Sequence, residues 1–267
     1  EFLGQQVVPE NCGGAGANIG AEIAAKAPPD GYTIMLATIT NAIGATLYTQ
    51  LNYDLVRDFC TITRLATTPH VLVVHPAVPV KTVKEFTALA KSKPGQLAYS
   101  SSGAGSAAHL AGELFSSLTG TKMVHVPYKG GGPSVIALVG GEVSVCFPTM
   151  PSAVGYVRGE RLRGIAVTTE KRSPSMPELP TIAETGVKGY EAGSWYGLSA
   201  PAGTPKPIID RLHAETLKVM ALPDIKERLF KTGFEVVTST PEEFAAFTKS
   251  EIQKWGKLVK ATGLKAD

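Results

Sequence analysis

Short β-branched runs alternate with helical patterns along this chain of 267 residues, and the alternation is the feature that most limits its fold. A helix between two strands favours parallel pairing, because the chain must cross a face of the sheet before the next strand begins. The stretch S-T-P-E-E at 239–243 marks one helix start clearly, since a capping hydroxyl precedes a proline and two acids. We therefore predict an α/β fold with mainly parallel sheets. The predicted strands are 33–36, 71–74, 97–99, 123–126, 143–147, 164–167 and 234–237, and the predicted helices include 83–91, 107–118, 207–220 and 241–258.

Two extended segments bear on the number of domains: 69–76 has a proline at each end, and 194–201 ends in a proline. If both cross between lobes, residues 1–75 and 194–267 form lobe 1, and residues 76–193 form an inserted lobe 2. The same pattern also fits a single doubly wound sheet with proline-edged strands. The pattern alone slightly favours the single sheet over the two lobes.

Charge and cysteine spacing exclude several classes of function. The net charge of +3 comes from 26 basic and 23 acidic residues without long runs, so the chain lacks the basic stripe of a nucleic-acid-binding protein. No apolar run is long enough for a membrane span, and the first residues lack a signal-peptide pattern. Cys12, Cys60 and Cys146 lie far apart and form no C-x-x-C motif. We therefore expect no nucleic-acid partner, no direct membrane insertion, no metal site and no cofactor.

Ligands of open α/β sheets bind beyond the carboxyl ends of the strands, so the loops there are the first places to examine. Loops 37–42, 100–106 and 147–152 each follow a predicted strand and consist largely of small and hydroxyl residues. The loop at 100–106 does not fit the dinucleotide fingerprint, because Ala108 stands where the third glycine would be needed after Gly103. The chain also contains no Gly-Lys-Ser or Gly-Lys-Thr tripeptide. A nucleotide-binding loop is therefore not supported.

The remaining interpretations of this loop are a serine nucleophile and an anion-binding site. The sequence S-G-A-G-S at 102–106 reverses the G-x-S-x-G nucleophile elbow. A hydrolase that uses Ser102 or Ser106 with His109 is still an alternative, because Ser106 and His109 share a helix face. Glu113 is predicted to be a structural partner of His109. The anion site is favoured, because bare backbone N–H groups, the helix dipole and hydroxyl donors can hold a carboxylate without arginine.

Short motifs in a fixed order suggest a family. The chain resembles the substrate-binding proteins of tripartite tricarboxylate transporters, the Bug family of periplasmic receptors. The resemblance extends nearly from end to end, and many unrelated short motifs seldom occur in one order by chance. The motifs are A-P-P-D-G-Y-T at 27–33, S-G-A-G-S at 102–106, H-L-A-G-E at 109–113, V-P-Y-K-G at 126–130, P-E-L-P-T at 177–181 and A-P-A-G-T-P at 200–205.

This resemblance implies a two-lobed, type II periplasmic-binding-protein fold with two crossing strands, and it supports lobes 1–75 with 194–267 and 76–193. It implies a periplasmic receptor, not an enzyme, that closes by a hinge on a small organic carboxylate and delivers it to the membrane subunits of the transporter. Members of the family begin with a strand, a loop and a helix before the first residue of this chain, so we expect that region to be missing here.

The resemblance also implies where the ligand binds. Family members hold the ligand carboxylate largely with backbone amides, hydroxyls and waters from loops of both lobes. Trp195 and Tyr196 are interpreted either as core aromatics or as a wall of the cleft. The residues carried over as ligand contacts are Thr38, Thr40, Asn41, Ser102, Gly103, Gly105, Ser106, His109, Thr149 and Trp195.

Overall fold

Strands and helices alternate in the computed structural model, which describes residues 3–12 and 14–264. The predicted α/β class is therefore confirmed. The strands are β1 Met35–Thr38, β2 Phe59–Pro69, β3 Val71–Val74, β4 Ala98–Ser101, β5 Val124–Pro127, β6 Val145–Cys146, β7 Arg163–Val167, β8 Gly193–Pro201 and β9 Glu235–Val236. The helices are α1 Asn18–Ala25, α2 Ile39–Leu47, α3 Val83–Ser92, α4 Ala107–Thr119, α5 Gly131–Val139, α6 Met150–Arg158, α7 Lys206–Ala221, α8 Pro223–Lys231 and α9 Pro241–Thr262.

The described residues divide into two compact units. Unit 1 contains residues 3–67, 195–230 and 235–264, and unit 2 contains residues 68–194 and 231–234. The chain leaves unit 1 within β2 and returns to it within β8, so two crossing strands join the units. The strand β3, which the sequence places in lobe 1, pairs with β6 and β7 in unit 2. The first change of unit therefore falls at Thr67, several residues before the expected position.

Unit 1 is built on a four-stranded sheet in the order β1-β8-β2-β9. The pairs β1–β8 and β2–β9 are antiparallel, so the expectation of a mainly parallel sheet is wrong here. Strand β8, which returns from unit 2, lies between β1 and β2, so neighbouring strands of this sheet come from distant parts of the chain and are not joined in the simple β-helix-β order that favours parallel pairing. Helix α9 packs on α2 and begins at the predicted position, where the Thr240 hydroxyl caps it and forms a capping box with Glu243.

Unit 2 has a five-stranded sheet in the order β5-β4-β6-β3-β7. Strand β4 is parallel to β5 and β6, whereas β3 is antiparallel to β6 and β7. A helix follows each of β4, β5 and β6, so β4 to β7 share one direction. Strand β3 is reversed because it enters directly from β2. The sheet is therefore mixed, and the buried side chains of Val71, Val73, Leu138 and Met150 belong to its core.

No helix among residues 3–12 and 14–264 combines the length and the apolar character that crossing a membrane requires.

Candidate functional site

Three loops of unit 2 meet at one edge of its sheet, because β4, β5 and β6 are parallel neighbours and end on the same side. The loop after β5 is joined to the loop after β4 by two backbone hydrogen bonds. Tyr128 N–H donates to the Ser101 carbonyl at 3.0 Å, and Gly130 N–H donates to the Ser102 carbonyl at 3.2 Å. The predicted loop at 100–106 and the loop that follows β5 therefore form one connected surface.

The turn from Ser101 to Ser106 depends on its two glycines. Gly103 has φ 134° and Gly105 has φ 71°, which are left-handed conformations that other residues seldom adopt. Ser106 N–H donates to the Gly103 carbonyl at 3.2 Å, and the Ser106 hydroxyl caps α4 by accepting from His109 N–H at 3.3 Å. The predicted contacts Ser102, Gly103, Gly105, Ser106 and His109 thus lie together in one turn and the first helical turn after it.

The first two residues of α4 leave their backbone N–H groups available. An α-helix has no internal partners for its first N–H groups, and here the Ser106 cap satisfies only that of His109. Within the described part of the chain, the N–H groups of Ala107 and Ala108 have no acceptor. Both residues are buried. Unpaired N–H donors at a buried helix N-terminus favour an anion.

The ring of His109 faces the turn and not a serine hydroxyl. Its Nδ1 accepts from Gly105 N–H at 3.1 Å, so the neutral ring carries its proton on Nε2, which lies 3.8 Å from Glu113 Oε1. Glu113 instead accepts a hydrogen bond from the Tyr99 hydroxyl at 2.6 Å. A general base needs a free nitrogen lone pair facing the nucleophile, and that of His109 is occupied. The predicted pairing of His109 with Ser102 or Ser106 for hydrolysis therefore lacks its geometry.

Two residues of this cluster were not predicted from the sequence to belong to the site. Ser101 Oγ lies 2.6 Å from His125 Nε2 and accepts from Gly103 N–H at 3.1 Å. The rings of His125 and His109 stack with centroids 3.8 Å apart and an angle of 7° between their planes. The signal that could have revealed His125 is the β4–β5 register, in which it lies opposite Tyr99, but a single sequence does not give that register.

Thr149 lies at the same edge of the unit 2 sheet, immediately before α6. Its hydroxyl is 3.1 Å from that of Ser152, and its backbone forms an isolated bridge with His70. The strand before it, β6, is the parallel neighbour of β4, so the Thr149 loop and the Ser102 loop extend from adjacent strand ends. Thr149 therefore remains a predicted ligand contact.

In unit 1, the predicted residues Thr38, Thr40 and Asn41 lie at the start of α2. Asn41 Oδ1 accepts from Thr38 N–H at 2.9 Å and lies 3.2 Å from the Thr38 hydroxyl. Asn41 is buried, whereas Thr38 and Thr40 are partly exposed. These bonds hold the helix start in place, and the three residues remain predicted ligand contacts.

Trp195 lies in the core of unit 1, and of the two interpretations offered by the sequence this position fits the core aromatic. Its side chain is 3% exposed and packs edge-to-face against Phe244 and Phe247. The indole N–H donates to Glu251 Oε2 at 3.0 Å, and Trp255 donates to the same oxygen at 3.0 Å. The indole N–H of Trp195 therefore already has its hydrogen-bond acceptor inside unit 1.

His70 is a buried histidine at the site edge of unit 2. Its Nδ1–H donates to the Phe147 carbonyl at 2.6 Å, and Nε2 lies 2.8 Å from the Ser194 hydroxyl, which donates to it in this tautomer. Burial lowers the pKa of His70 from 6.5 to about 4, because the charged ring loses its hydration. The folded state therefore binds a proton less readily than the unfolded state.

This difference predicts an acid-dependent loss of stability. As the pH falls from about 6.5 to about 4, unfolded chains take up a proton at this position and folded chains do not, so the melting temperature should fall across that interval. Thermal unfolding between pH 8 and pH 4 measures the effect. His70→Asn should have a lower melting temperature at pH 7 and a flatter profile, and an equally steep profile in this variant would contradict the assignment.

Among the residues described, no group of three or more histidine, cysteine, aspartate or glutamate side chains is arranged to hold a metal ion.

The chain is similar to known receptors over almost its whole length. The family described as tripartite tricarboxylate transporter family receptor matches residues 1–264. Among solved structures, Rpa4515 of R. palustris with adipate is 35% identical, with a TM-score of 0.93, and the match covers 98% of this chain and 88% of that protein. The periplasmic binding protein BugD is 32% identical, with a TM-score of 0.94 and coverage of 100% and 90%. MatC (Rpa3494) from Rhodopseudomonas palustris with bound malate is 30% identical, with a TM-score of 0.91 and coverage of 97% and 89%.

Proposed function

Because the chain belongs to the tripartite tricarboxylate transporter family of receptors, we propose that it is a periplasmic receptor that binds a small organic carboxylate. It delivers this ligand to the membrane subunits of a tripartite transporter and does not change it chemically. The periplasmic location is supported by the similarity to the binding protein BugD, and the delivery step by the description of the family. The ligand class is supported by the two similar structures that contain adipate and malate.

The observation that carries the proposal is the pair of available N–H groups at the N-terminus of α4. Ala107 and Ala108 present them at a buried position, and the macrodipole of a 13-residue helix adds positive potential there. A carboxylate has two oxygen atoms and can accept from both N–H groups. We therefore place one ligand carboxylate at this helix start.

The predicted residues around this position then have different roles. The N–H groups of Gly103 and Gly105 already donate to Ser101 and His109, so these glycines shape the turn and do not donate to the ligand. Ser102 is partly exposed in the turn, and its hydroxyl remains a proposed contact of the ligand. Thr38, Thr40, Asn41 and Thr149 also stay proposed contacts, whereas we assign Trp195 to the core.

Ala107→Pro tests the carboxylate position directly, because it deletes one backbone N–H. Proline is well tolerated at the first helical position, and Ser106 before it has the extended conformation (φ −72°, ψ 160°) that proline requires. Loss of a hydrogen bond to a charged group should weaken adipate or malate binding by about tenfold or more, while the melting temperature stays the same or rises. Isothermal titration calorimetry measures the affinity.

Ala107→Gly is the matched control, because it keeps the N–H and removes only the methyl group. The proposal would be contradicted if Ala107→Pro bound the acid as tightly as the unchanged chain, or if both variants lost affinity equally. The unchanged chain should first be titrated with a panel of mono-, di- and tricarboxylates, with each acid quantified by NMR afterwards. Consumption of an acid or of a related ester would indicate an enzyme instead of a receptor.

A further inference from the structure

The stacked rings of His109 and His125 form a polar cluster beside the turn, and ligand binding as proposed above does not use this cluster directly. The rings lie 3.8 Å apart and nearly parallel. His109 is buried, and His125 is partly buried against Tyr99, whose ring centroid is 5.0 Å away. Such an arrangement is favourable only for uncharged rings, because two imidazolium ions at this distance would repel each other strongly.

Each histidine holds a different glycine of the turn. His109 Nδ1 accepts directly from Gly105 N–H at 3.1 Å. His125 acts through Ser101, since its Nε2 lies 2.6 Å from the Ser101 hydroxyl oxygen, which accepts from Gly103 N–H at 3.1 Å. The two glycines that adopt left-handed conformations are therefore anchored by two rings that are in contact with each other.

The turn needs these anchors. Glycine has more backbone freedom in the unfolded chain than any other residue. Holding Gly103 and Gly105 in one left-handed conformation therefore has a high entropic cost. One backbone hydrogen bond, from Ser106 N–H to the Gly103 carbonyl at 3.2 Å, closes the turn on itself. The glycine turn leads directly into α4 and sets the direction of the helix start. If the glycine turn relaxed, the N–H groups of Ala107 and Ala108 would also move.

The charge state of the rings fits this role. Burial lowers the pKa of His109 to about 4, and burial together with the neighbouring ring lowers that of His125 to about 4. The titratable groups that face the pair are Tyr99 from β4 and Glu113 from α4, and the Glu113 carboxylate opposes the shift at His125 only partly. Both rings are therefore neutral near pH 7, as acceptance by Nδ1 of His109 requires.

We propose that His109 and His125 are positioning residues, which hold the turn before α4 in its ligand-binding conformation by anchoring Gly105 and Gly103 respectively. The proposal rests on the carboxylate position proposed above for its effect on affinity. It changes the role of His109, which was predicted from the sequence to contact the ligand, and it adds His125 and Ser101 to the site.

Asparagine and glutamine variants distinguish this role from simple packing. The asparagine oxygen is separated from Cβ by the same number of bonds as Nδ1 of histidine, and the terminal atoms of glutamine correspond in the same way to Nε2. At position 109, His109→Asn should therefore preserve the hydrogen bond from Gly105 N–H better than His109→Gln does. At position 125, His125→Gln should keep more than His125→Asn. A packing role instead favours glutamine at both positions, since its volume is closer to that of histidine.

Two measurements on the full chain test whether asparagine is the better replacement at position 109 and glutamine the better replacement at position 125. The first is hydrogen exchange of the backbone amides by NMR at pH 7 without ligand, in which His109→Gln should accelerate exchange at Gly105, and His125→Asn at Gly103, by roughly tenfold relative to the matched variant. The second is calorimetric titration with adipate and malate, in which the same two variants should bind roughly threefold to tenfold more weakly. Glutamine better than asparagine at both positions, in either measurement, would overturn the proposal.

The two proposals can fail separately. If the unchanged chain binds no carboxylate of the panel, the proposed function is wrong, and the exchange rates still decide whether the histidines anchor the turn. If the histidine variants do not fold, Ser101→Ala decides instead, because it removes the link to Gly103 and leaves both rings in place. Unchanged exchange at Gly103 in this variant would overturn the proposal for His125.

Discussion

Replacing Glu251 with alanine is expected to lower the free energy of unfolding of unit 1 by about 4 kcal/mol. The buried oxygen Oε2 of Glu251 accepts from the indole N–H groups of both Trp195 and Trp255, and the side chains of all three residues are less than one-tenth exposed. Alanine would leave two buried N–H donors without an acceptor, and each unsatisfied donor costs about 1–3 kcal/mol. The charge of Glu251 also favours the protonated form of Arg64, whose pKa burial lowers.

The sequence contains two tryptophans, so intrinsic fluorescence reports on this cluster alone. Urea unfolding followed by tryptophan emission measures the loss of stability, and a red-shifted emission in the folded variant would show that water has reached the indoles. Glu251→Gln is the matched control, because its amide oxygen can still accept, and it should cost about 1 kcal/mol. Equal losses for the two variants would show that charge, and not hydrogen bonding, is what matters at Glu251.

Gly112→Ala should destabilise unit 2 by about 3 kcal/mol and weaken carboxylate binding. A Cβ at this position of α4 would lie 2.5 Å from Cε2 and 2.9 Å from Cζ of Tyr99. The tyrosine ring cannot move aside easily, because it is fully buried, its hydroxyl donates to Glu113 at 2.6 Å and its face packs near His125. The clash therefore outweighs the gain of about 1 kcal/mol that alanine brings to a helix.

Gly155→Ala provides the matched control for this prediction. Gly155 is also inside a helix, α6, but a Cβ there meets no atom within 4 Å. This variant should be neutral or slightly more stable, as measured by urea unfolding followed by circular dichroism. A double variant with Tyr99→Leu should recover part of the loss at Gly112, because the two changes are coupled through one contact. Equal stability of the two alanine variants would contradict the close approach of α4 to Tyr99.

Local signals in the sequence predict much of this structure. The helix start at Thr240 and Pro241 and the turn before α4 follow from capping and glycine chemistry, which act between near neighbours. The strand β2 was missed over most of its length, because apolar and polar residues do not alternate regularly along F-C-T-I-T-R-L-A-T-T-P, and all of its residues are buried or half-buried in the structure. Its burial is decided by neighbours on both sides within the sheet, which a single sequence does not identify.

The same reason explains why only part of the site could be predicted from the sequence. The small and hydroxyl residues from Ser102 to Ser106 are adjacent in sequence, and they do form one turn at the end of a strand. The partnership of Ser101 with His125 spans 24 positions, and that of Trp195 with Glu251 spans 56. These contacts depend on strand register and helix packing, so residue type and spacing could not show that His125 lies beside the turn or that the Trp195 indole bonds Glu251 in the core of unit 1.

The division of the chain into units has a consequence for the order in which the protein folds as its chain emerges from the amino-terminal side. Unit 2 is nearly continuous, from 68 to 194, whereas β2 of unit 1 pairs with β9, and Thr63 bonds Ser239 across 176 positions. Domains generally fold as units once their residues have been made. The first segment of unit 1 must therefore wait, without β8 and α9, until all but the short 231–234 segment of unit 2 has emerged. We expect the chain to form the turn before α4 before it forms the tryptophan cluster, so chaperones that recognise exposed apolar surface should bind the first segment of unit 1 for longest.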